Sequence, residues 1–340
     1  MKRALVTGVT GQDGSYLAKH LIDEGYQVCG IVRNHTQSNQ LQRLRWIFSG
    51  DLPQELSLEY SDLTDAPSLN RIVQSFEPDE VYNLAAQSHV GVSFMSPVST
   101  ATVNALGVMN VLEACRAAST KPKFYQASTS EMFGKVQEVP QNEETSFYPR
   151  SPYGVAKLFG YWLTINYRES YDLFGVNGIL FNHESPIRGD NFVTKKITKG
   201  LVSVLRGKQP VLELGNLEAK RDWGHAKDYV RAMHLILQHP TPEDFVIATG
   251  IQHSVREFCE IAAEHLELGL EWQGEGVDEI GYSTKLNKVV IKINPACYRP
   301  TEVDTLLGDN TKAHAVLGWK PTIPFENIVK EMLAYDLETV

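Results

Sequence analysis

Tyr153 and Lys157 stand four residues apart in the run Tyr153-Gly154-Val155-Ala156-Lys157. On a helix, side chains at this spacing share one face. An ammonium there favours a phenolate, so the pairing predicts a lowered tyrosine pKa and a base that works near neutral pH. Thr129-Ser130-Glu131 offers a carboxylate as a second base. One base serves the oxidation of an alcohol. Two bases with a nicotinamide also serve an elimination. Taken alone, a Glu after a strand is more often a solvated or capping residue, so the weight given to Glu131 rests on the Tyr/Lys pair.

Such groups need a scaffold that brings them to one place. Short apolar runs at residues 2–7, 27–32, 56–61, 80–84 and 123–128 predict strands. The stretches 15–24, 67–76 and 100–118 carry helical spacing between them. Repeated strand–helix units predict an α/β, Rossmann-type, doubly wound parallel sheet. From about residue 181 loops rich in Asn, Gly, Pro and Arg separate shorter elements, at 194–206, 226–238, 255–266, 311–317 and 325–335. This divides the chain into a cofactor-binding part, 1–180, and a smaller α/β substrate lobe, 181–340, with later segments returning to the sheet. The polar segment 34–51 carries a short helix signal of Gln, Arg and Leu, and could be a loop that folds on a neighbouring subunit. Trp162, Trp223 and Trp319 are expected in the core or between lobes.

Gly8-Val9-Thr10-Gly11-Gln12-Asp13-Gly14 follows the first strand and opens the first helix. Glycines there allow a tight turn and bring backbone N–H groups close to a pyrophosphate. The second strand ends in Arg33 rather than an acid, which favours the 2′-phosphate of NADP over the free ribose of NAD. Asp62 and Leu63 suit an adenine contact, although an Asp after a strand is also a common helix cap. Leu84, Ala85 and Ala86 present small side chains to a cofactor.

Composition bounds the rest. The chain has 340 residues and a net charge of −9, which argues against general nucleic-acid binding. No apolar run is long enough for a membrane span, and the first strand starts too early for a signal peptide. The four cysteines, Cys29, Cys115, Cys259 and Cys297, are widely spaced and predict reduced thiols in a cytoplasmic protein. No His, Cys and Asp spacing suggests a metal.

Further motifs make the sequence specific. They are Asn83-Leu84-Ala85-Ala86-Gln87-Ser88-His89, Ser128-Thr129-Ser130-Glu131-Met132-Phe133-Gly134, Phe147-Tyr148-Pro149-Arg150-Ser151-Pro152-Tyr153-Gly154, Phe181-Asn182-His183-Glu184-Ser185-Pro186, Ala219-Lys220-Arg221-Asp222-Trp223-Gly224 and Tyr298-Arg299-Pro300-Thr301-Glu302-Val303-Asp304. With the glycine turn, they make the chain resemble the extended short-chain dehydrogenase/reductases that act on nucleotide sugars, and within these the GDP-mannose 4,6-dehydratase family. Two departures stand out: Asn34 occupies a place where the family often has a second Arg, and Ile187 one where a basic residue is frequent.

The resemblance implies a catalytic set of Thr129 on the sugar O4, Glu131 as base at C5, Tyr153 as base at the 4-hydroxyl and Lys157 on the nicotinamide ribose. It adds Gln87, Ser88, His183 and Arg188 to the cofactor positions. Ser88, Ser130, Asn182, Lys196, Leu214, Gly215, Arg221, Arg299 and Glu302 match positions around the nucleotide-sugar. It implies NADP as a cofactor regenerated each turnover, GDP-mannose as substrate, and a homodimer or homotetramer. A GDP-heptose dehydratase, a reductase acting on the 4-keto-6-deoxymannose nucleotide and an inactive NADP-binding regulator remain as alternatives.

Overall fold

The computed structural model describes residues 1–33, 41–298, 301, 303 and 305–340. The first part alternates as its apolar spacing predicts. It runs β1 (Arg3–Thr7), α1 (Gln12–Asp23), β2 (Gln27–Val32), α2 (Gln42–Ile47), β3 (Leu56–Tyr60), α3 (Ala66–Phe76) and β4 (Glu80–Asn83). Next come α4 (Val90–Met95), α5 (Pro97–Ala101), α6 (Gly107–Ala117), β5 (Lys123–Thr129), α7 (Pro152–Tyr171) and β6 (Gly175–Leu180). The second part holds β7 (Asn182–Glu184), α8 (Val193–Leu205), β8 (Leu212–Leu214), β9 (Lys220–His225), α9 (Ala226–Gln238), β10 (Phe245–Ile247), β11 (Gln252–Ser254) and α10 (Val255–His265). It ends with β12 (Leu270–Gln273), β13 (Ile280–Ser283), β14 (Lys288–Ile293), α11 (Thr311–Leu317) and α12 (Phe325–Thr339).

Seven strands form one sheet in the order β10-β6-β5-β4-β1-β2-β3, with parallel pairings throughout. Period-two side chains sort β1 between two layers: Ala4 and Val6 pack with Leu17 and Leu21 of α1 and Met233 of α9. Leu5 faces the other way, among Leu69 of α3 and Val111 and Leu112 of α6. Each such fully buried aliphatic side chain contributes roughly 1.5–3 kcal/mol. A third cluster, around Trp223, Leu201 and Phe258, joins α8, α10 and α12 to the smaller sheet β12-β13-β14-β8. β7, β9 and β11 make a third sheet. Thus β10 and α9, from the second part, complete the first sheet and cover one of its faces.

The structure departs from the sequence expectations in three places. The helix expected over 100–118 is interrupted: Thr102–Leu106 is wound as a π-helix between α5 and α6. Within it, Asn104 accepts from Gln87 N (2.8 Å) and donates to Gln87 O (2.8 Å), so local pairing with a loop outweighs continuity of the helix. β6 and the strands of the second part are not among the predicted strands; four of them, β7, β8, β10 and β11, have only three residues, too few to show a period of two. In the described part of the 34–51 segment the helix signal corresponds to α2, where Leu44 is fully buried and Trp46 meets Tyr335 edge-on at 5.4 Å. Trp223 and Trp319 are buried, but Trp162 lies outside the core and is 56% exposed.

Candidate active site

The order of strands reverses between β1 and β4. Loops leaving a parallel sheet on either side of such a point diverge and open a crevice beyond the strand ends. Here the crevice is a cavity of about 1070 Å³. Gly8 has a φ of +70°, and a Cβ there would stand 2.9 Å from Ala85 N and Ala85 Cα. A Cβ on Gly14 would meet Gly8 O at 2.2 Å, so these positions need glycine to close the turn. Gly11 caps α1 without any side-chain cap, which leaves the first helical N–H groups facing the cavity.

The wall brings together nearly all the expected cofactor residues. Gly8, Thr10, Gly11, Gln12, Asp13 and Gly14 line it from the first turn, and Arg33, Asp62 and Leu63 from the ends of β2 and β3. Leu84, Ala85, Ala86 and Ser88 follow β4, and His183 and Arg188 come from β7 and the loop after it. Asp62 Oδ1 accepts from Thr64 N and Oγ1 in a local turn, whereas the cap of α3 is Asp65, which accepts from Ser68 N. Gln87 does not line the cavity. Its carboxamide donates to His89 O and accepts from Thr100, while its backbone is held by Asn104. Asn34 lies outside the described residues, and the buried Ile187 offers its carbonyl to Arg43 Nε at 2.9 Å.

The expected catalytic residues meet at one end. β5 stops at Thr129, whose Oγ1 accepts from Glu131 N (3.2 Å) and turns the chain into a short 3-10 turn, Ser130–Met132. Ser151 caps α7 through Gly154 N at 3.0 Å, and Pro152 begins the helix. A Cβ on Gly154 would lie 2.8 Å from Glu131 O, so glycine lets the helix start press against the turn. Tyr153, Lys157, Thr129, Ser130 and Glu131 then share the cavity wall.

The electrostatics correct one expectation. Burial pushes the Tyr153 pKa up, and the hydrogen bond with Thr129 and the charge of Arg188 lower it only in part. Lys157 is itself pushed by burial down to about 8. Its Nζ donates to Ala127 O at 2.8 Å and sits 5.9 Å from the centre of the Tyr153 ring. Spacing of four puts the two on one face, but desolvation outweighs the attraction that spacing suggests.

The second part supplies the other end of the cavity. Asn182, Lys196, Leu214, Gly215 and Arg221 all line it. Arg221 is buried in β9 and donates to Lys220 O at 2.9 Å. Beside it, Asp222 accepts from Thr249 and Gly250, and burial raises its pKa to about 6. Arg299 and Glu302 lie outside the described residues. The sequence missed Arg43, Glu184, Phe192 and Cys297, which also line the wall. Arg43 had one available signal, a cation in a helix-like run after the second strand. Glu184 sat inside a quoted motif without a role; its carboxylate lies 3.0 Å from Arg188 Nε and accepts from Thr194 at 2.6 Å.

Comparison with known proteins fixes the family. The sequence profile described as "GDP-mannose 4,6 dehydratase" matches residues 5–332. The chain belongs to that family. A GDP-mannose 4,6-dehydratase of Vibrio cholerae serotype O1 is 52% identical over 351 aligned residues, covering 99% of this chain and 94% of the relative. A human GDP-mannose 4,6 dehydratase is 51% identical, covering 98% of this chain and 91% of the relative. Among solved structures, a UDP-glucose 4-epimerase of Thermus thermophilus, in complex with NAD, superposes with a TM-score of 0.81 at 25% identity over 99% of this chain and 100% of that one. The family's sheet and glycine turn therefore fit a nicotinamide cofactor, as the cradle at Gly8 and Gly14 does on its own geometry. Among the described residues no cluster of three or more His, Cys, Asp or Glu could hold a metal ion, and no helix is long and apolar enough to cross a membrane.

Proposed function

We propose that this cavity removes water from GDP-D-mannose to give GDP-4-dehydro-6-deoxy-D-mannose. The observation that carries the reading is the placement of Glu131 on the same wall as Thr129, Tyr153 and Lys157. A nicotinamide, when bound, supplies a reversible hydride acceptor, so oxidation at C4 and reduction at C6 balance and none is consumed. Tyr153, whose phenolate a bound nicotinamide cation would favour where burial alone opposes it, takes the proton of the 4-hydroxyl, with Thr129 on the same oxygen. The C4 carbonyl so formed acidifies the hydrogen on C5. Glu131 takes that proton and passes it to the C6 hydroxyl, which departs as water. As C6 is reduced, the proton that Tyr153 took from the 4-hydroxyl goes to C5, which restores both bases. Two bases with separate tasks account for a carboxylate beside a Tyr/Lys pair.

Lys157, fixed by Ala127 O, would hold the nicotinamide ribose through its ammonium. Arg221 and Lys196, with Arg299, suit the nucleotide diphosphate. Arg33 and Arg43 on the wall favour NADP over NAD, and Arg33→Asp should reverse that preference by roughly tenfold or more in relative affinity. Val155, Phe159 and Trp162 form an exposed apolar stripe along α7, which supports assembly as a homodimer or homotetramer. Trp162→Glu should lower the mass seen by sedimentation.

The deciding experiment incubates the protein with GDP-mannose and NADP and follows product mass. Loss of one water with no net NADPH is expected. Glu131→Gln should keep cofactor binding and lower kcat by about 10²-fold or more. Full dehydration by that variant, or consumption of one NADPH per turnover, overturns the reading.

A further inference from the structure

The phosphate-accepting turn carries a carboxylate. Asp13 lies in the first turn of α1 and lines the cavity, where an acid would repel a dinucleotide's diphosphate. Its partner comes from 170 residues away: Asp13 Oδ2 lies 2.9 Å from His183 Nε2. The other ring nitrogen, Nδ1, lies 2.7 Å from Phe181 O. A carbonyl oxygen only accepts, and an ionised carboxylate only accepts. The form of His183 that satisfies both neighbours is the imidazolium. Burial alone would raise the Asp13 pKa, but His183, Gln12 and Arg188 outweigh it and hold the carboxyl down to about 2, ionised.

A neutral strut runs beside this pair. Gln12 Nε2 donates to His183 O at 3.0 Å, and Ser185 Oγ donates to Gln12 Oε1 at 2.7 Å. The imidazole also stacks on Tyr229 of α9, with centroids 4.4 Å apart. Other ionisable groups around the pair are Glu184 and Arg188 near β7, Tyr125 on β5, and Tyr153 and Lys157 on α7.

We propose that Asp13 and His183 form a charge-compensated latch across the cofactor cavity. Asp13 ties the first turn of α1 to β7, and the imidazolium of His183 cancels the negative charge that this tie places at the diphosphate. His183 is thus a positioning residue whose charge matters because Asp13 is there. The inference rests on the nicotinamide dinucleotide reading of the cavity.

Titration of the intact protein with NADPH at neutral pH, followed by fluorescence, tests it. His183→Gln leaves Asp13 uncompensated and should weaken binding on the order of tenfold, the scale of one added charge at short range in a partly screened site. The double variant Asp13→Asn/His183→Gln should recover most of the loss, because the charge needing compensation is gone. A purely packing role of His183 against Tyr229 predicts no recovery. A double variant that binds as weakly as His183→Gln overturns the latch and leaves the cofactor reading intact. Failure of the unmodified protein to bind NADPH overturns both.

Discussion

The central sheet carries a Lys, a Tyr and a Glu together at each end of its strands. At the N-terminal ends, Glu80 is buried and accepts from Lys2 (3.1 Å), Tyr26 (3.1 Å), Gln238 (3.0 Å) and Tyr82 (2.8 Å). Burial would raise its pKa, but these donors outweigh burial and lower it. At the C-terminal ends, Glu131, Tyr153 and Lys157 line a large cavity, and Lys157 donates to a backbone carbonyl. The same residue types make a structural knot at one end and a candidate catalytic group at the other. The difference is the crevice that diverging loops open beyond the carboxyl ends of parallel strands.

Removing the two phenols should separate the clusters most sharply. Tyr153→Phe should lower kcat by about 10³-fold. Tyr26→Phe should leave kcat within about twofold and lower unfolding stability by about 1 kcal/mol in urea titration. Equal effects on kcat would remove the contrast. The carboxylates come next. Glu80→Ala strands four donors and should cost about 3 kcal/mol of stability, whereas Glu131→Gln should stay within about 1 kcal/mol of the unmodified protein. The lysine at the cavity carries a stability cost at neutral pH. Its folded pKa lies below the unfolded value, so the unfolded chain binds the proton more tightly, and stability rises with pH from about 8 towards the unfolded value of about 10.5. Lys157→Met should therefore stabilise the fold by on the order of 1–2 kcal/mol at pH 7 while lowering activity. A destabilised variant would show that the bond to Ala127 O matters more than burial of the charge.

A smaller effect is expected from the histidines beside Glu80. His20 Nε2 and His234 Nδ1 are 3.1 Å apart, and burial lowers both pKa values. Lowered histidines contribute stability that is complete above the unfolded value of about 6.5 and is lost as pH falls through the folded values. Thermal unfolding should weaken between pH 7 and pH 5, and His234→Gln should flatten that slope. Glu80, also lowered, adds a further loss below about pH 4.5. An unchanged slope in the histidine variant would place the acid sensitivity elsewhere.

Much of the site was legible because its residues sit in short local patterns. The glycine turn, the Tyr153/Lys157 spacing and Thr129 with Glu131 each occupy one turn or one strand end, and backbone geometry there follows from residue type. Alternation of apolar runs gave the parallel sheet for the same reason. Glu184 and the Asp13–His183 pair were not legible, and Arg43 only as a cation in a helix-like run, since their contacts lie more than 100 residues apart or follow no spacing rule. Trp162 was read as buried because size and apolarity favour the core on average, yet its position on α7 faces outward.

The sequence by itself determined the strand–helix alternation, the turn able to approach a diphosphate, and the residue types able to act as bases. Tertiary structure decided which of two Lys, Tyr and Glu groupings meets a cavity. It also decided the electrostatics, because burial depends on every element packed around a group: it raised Tyr153 against the pull expected from Lys157, and it brought His183 to Asp13.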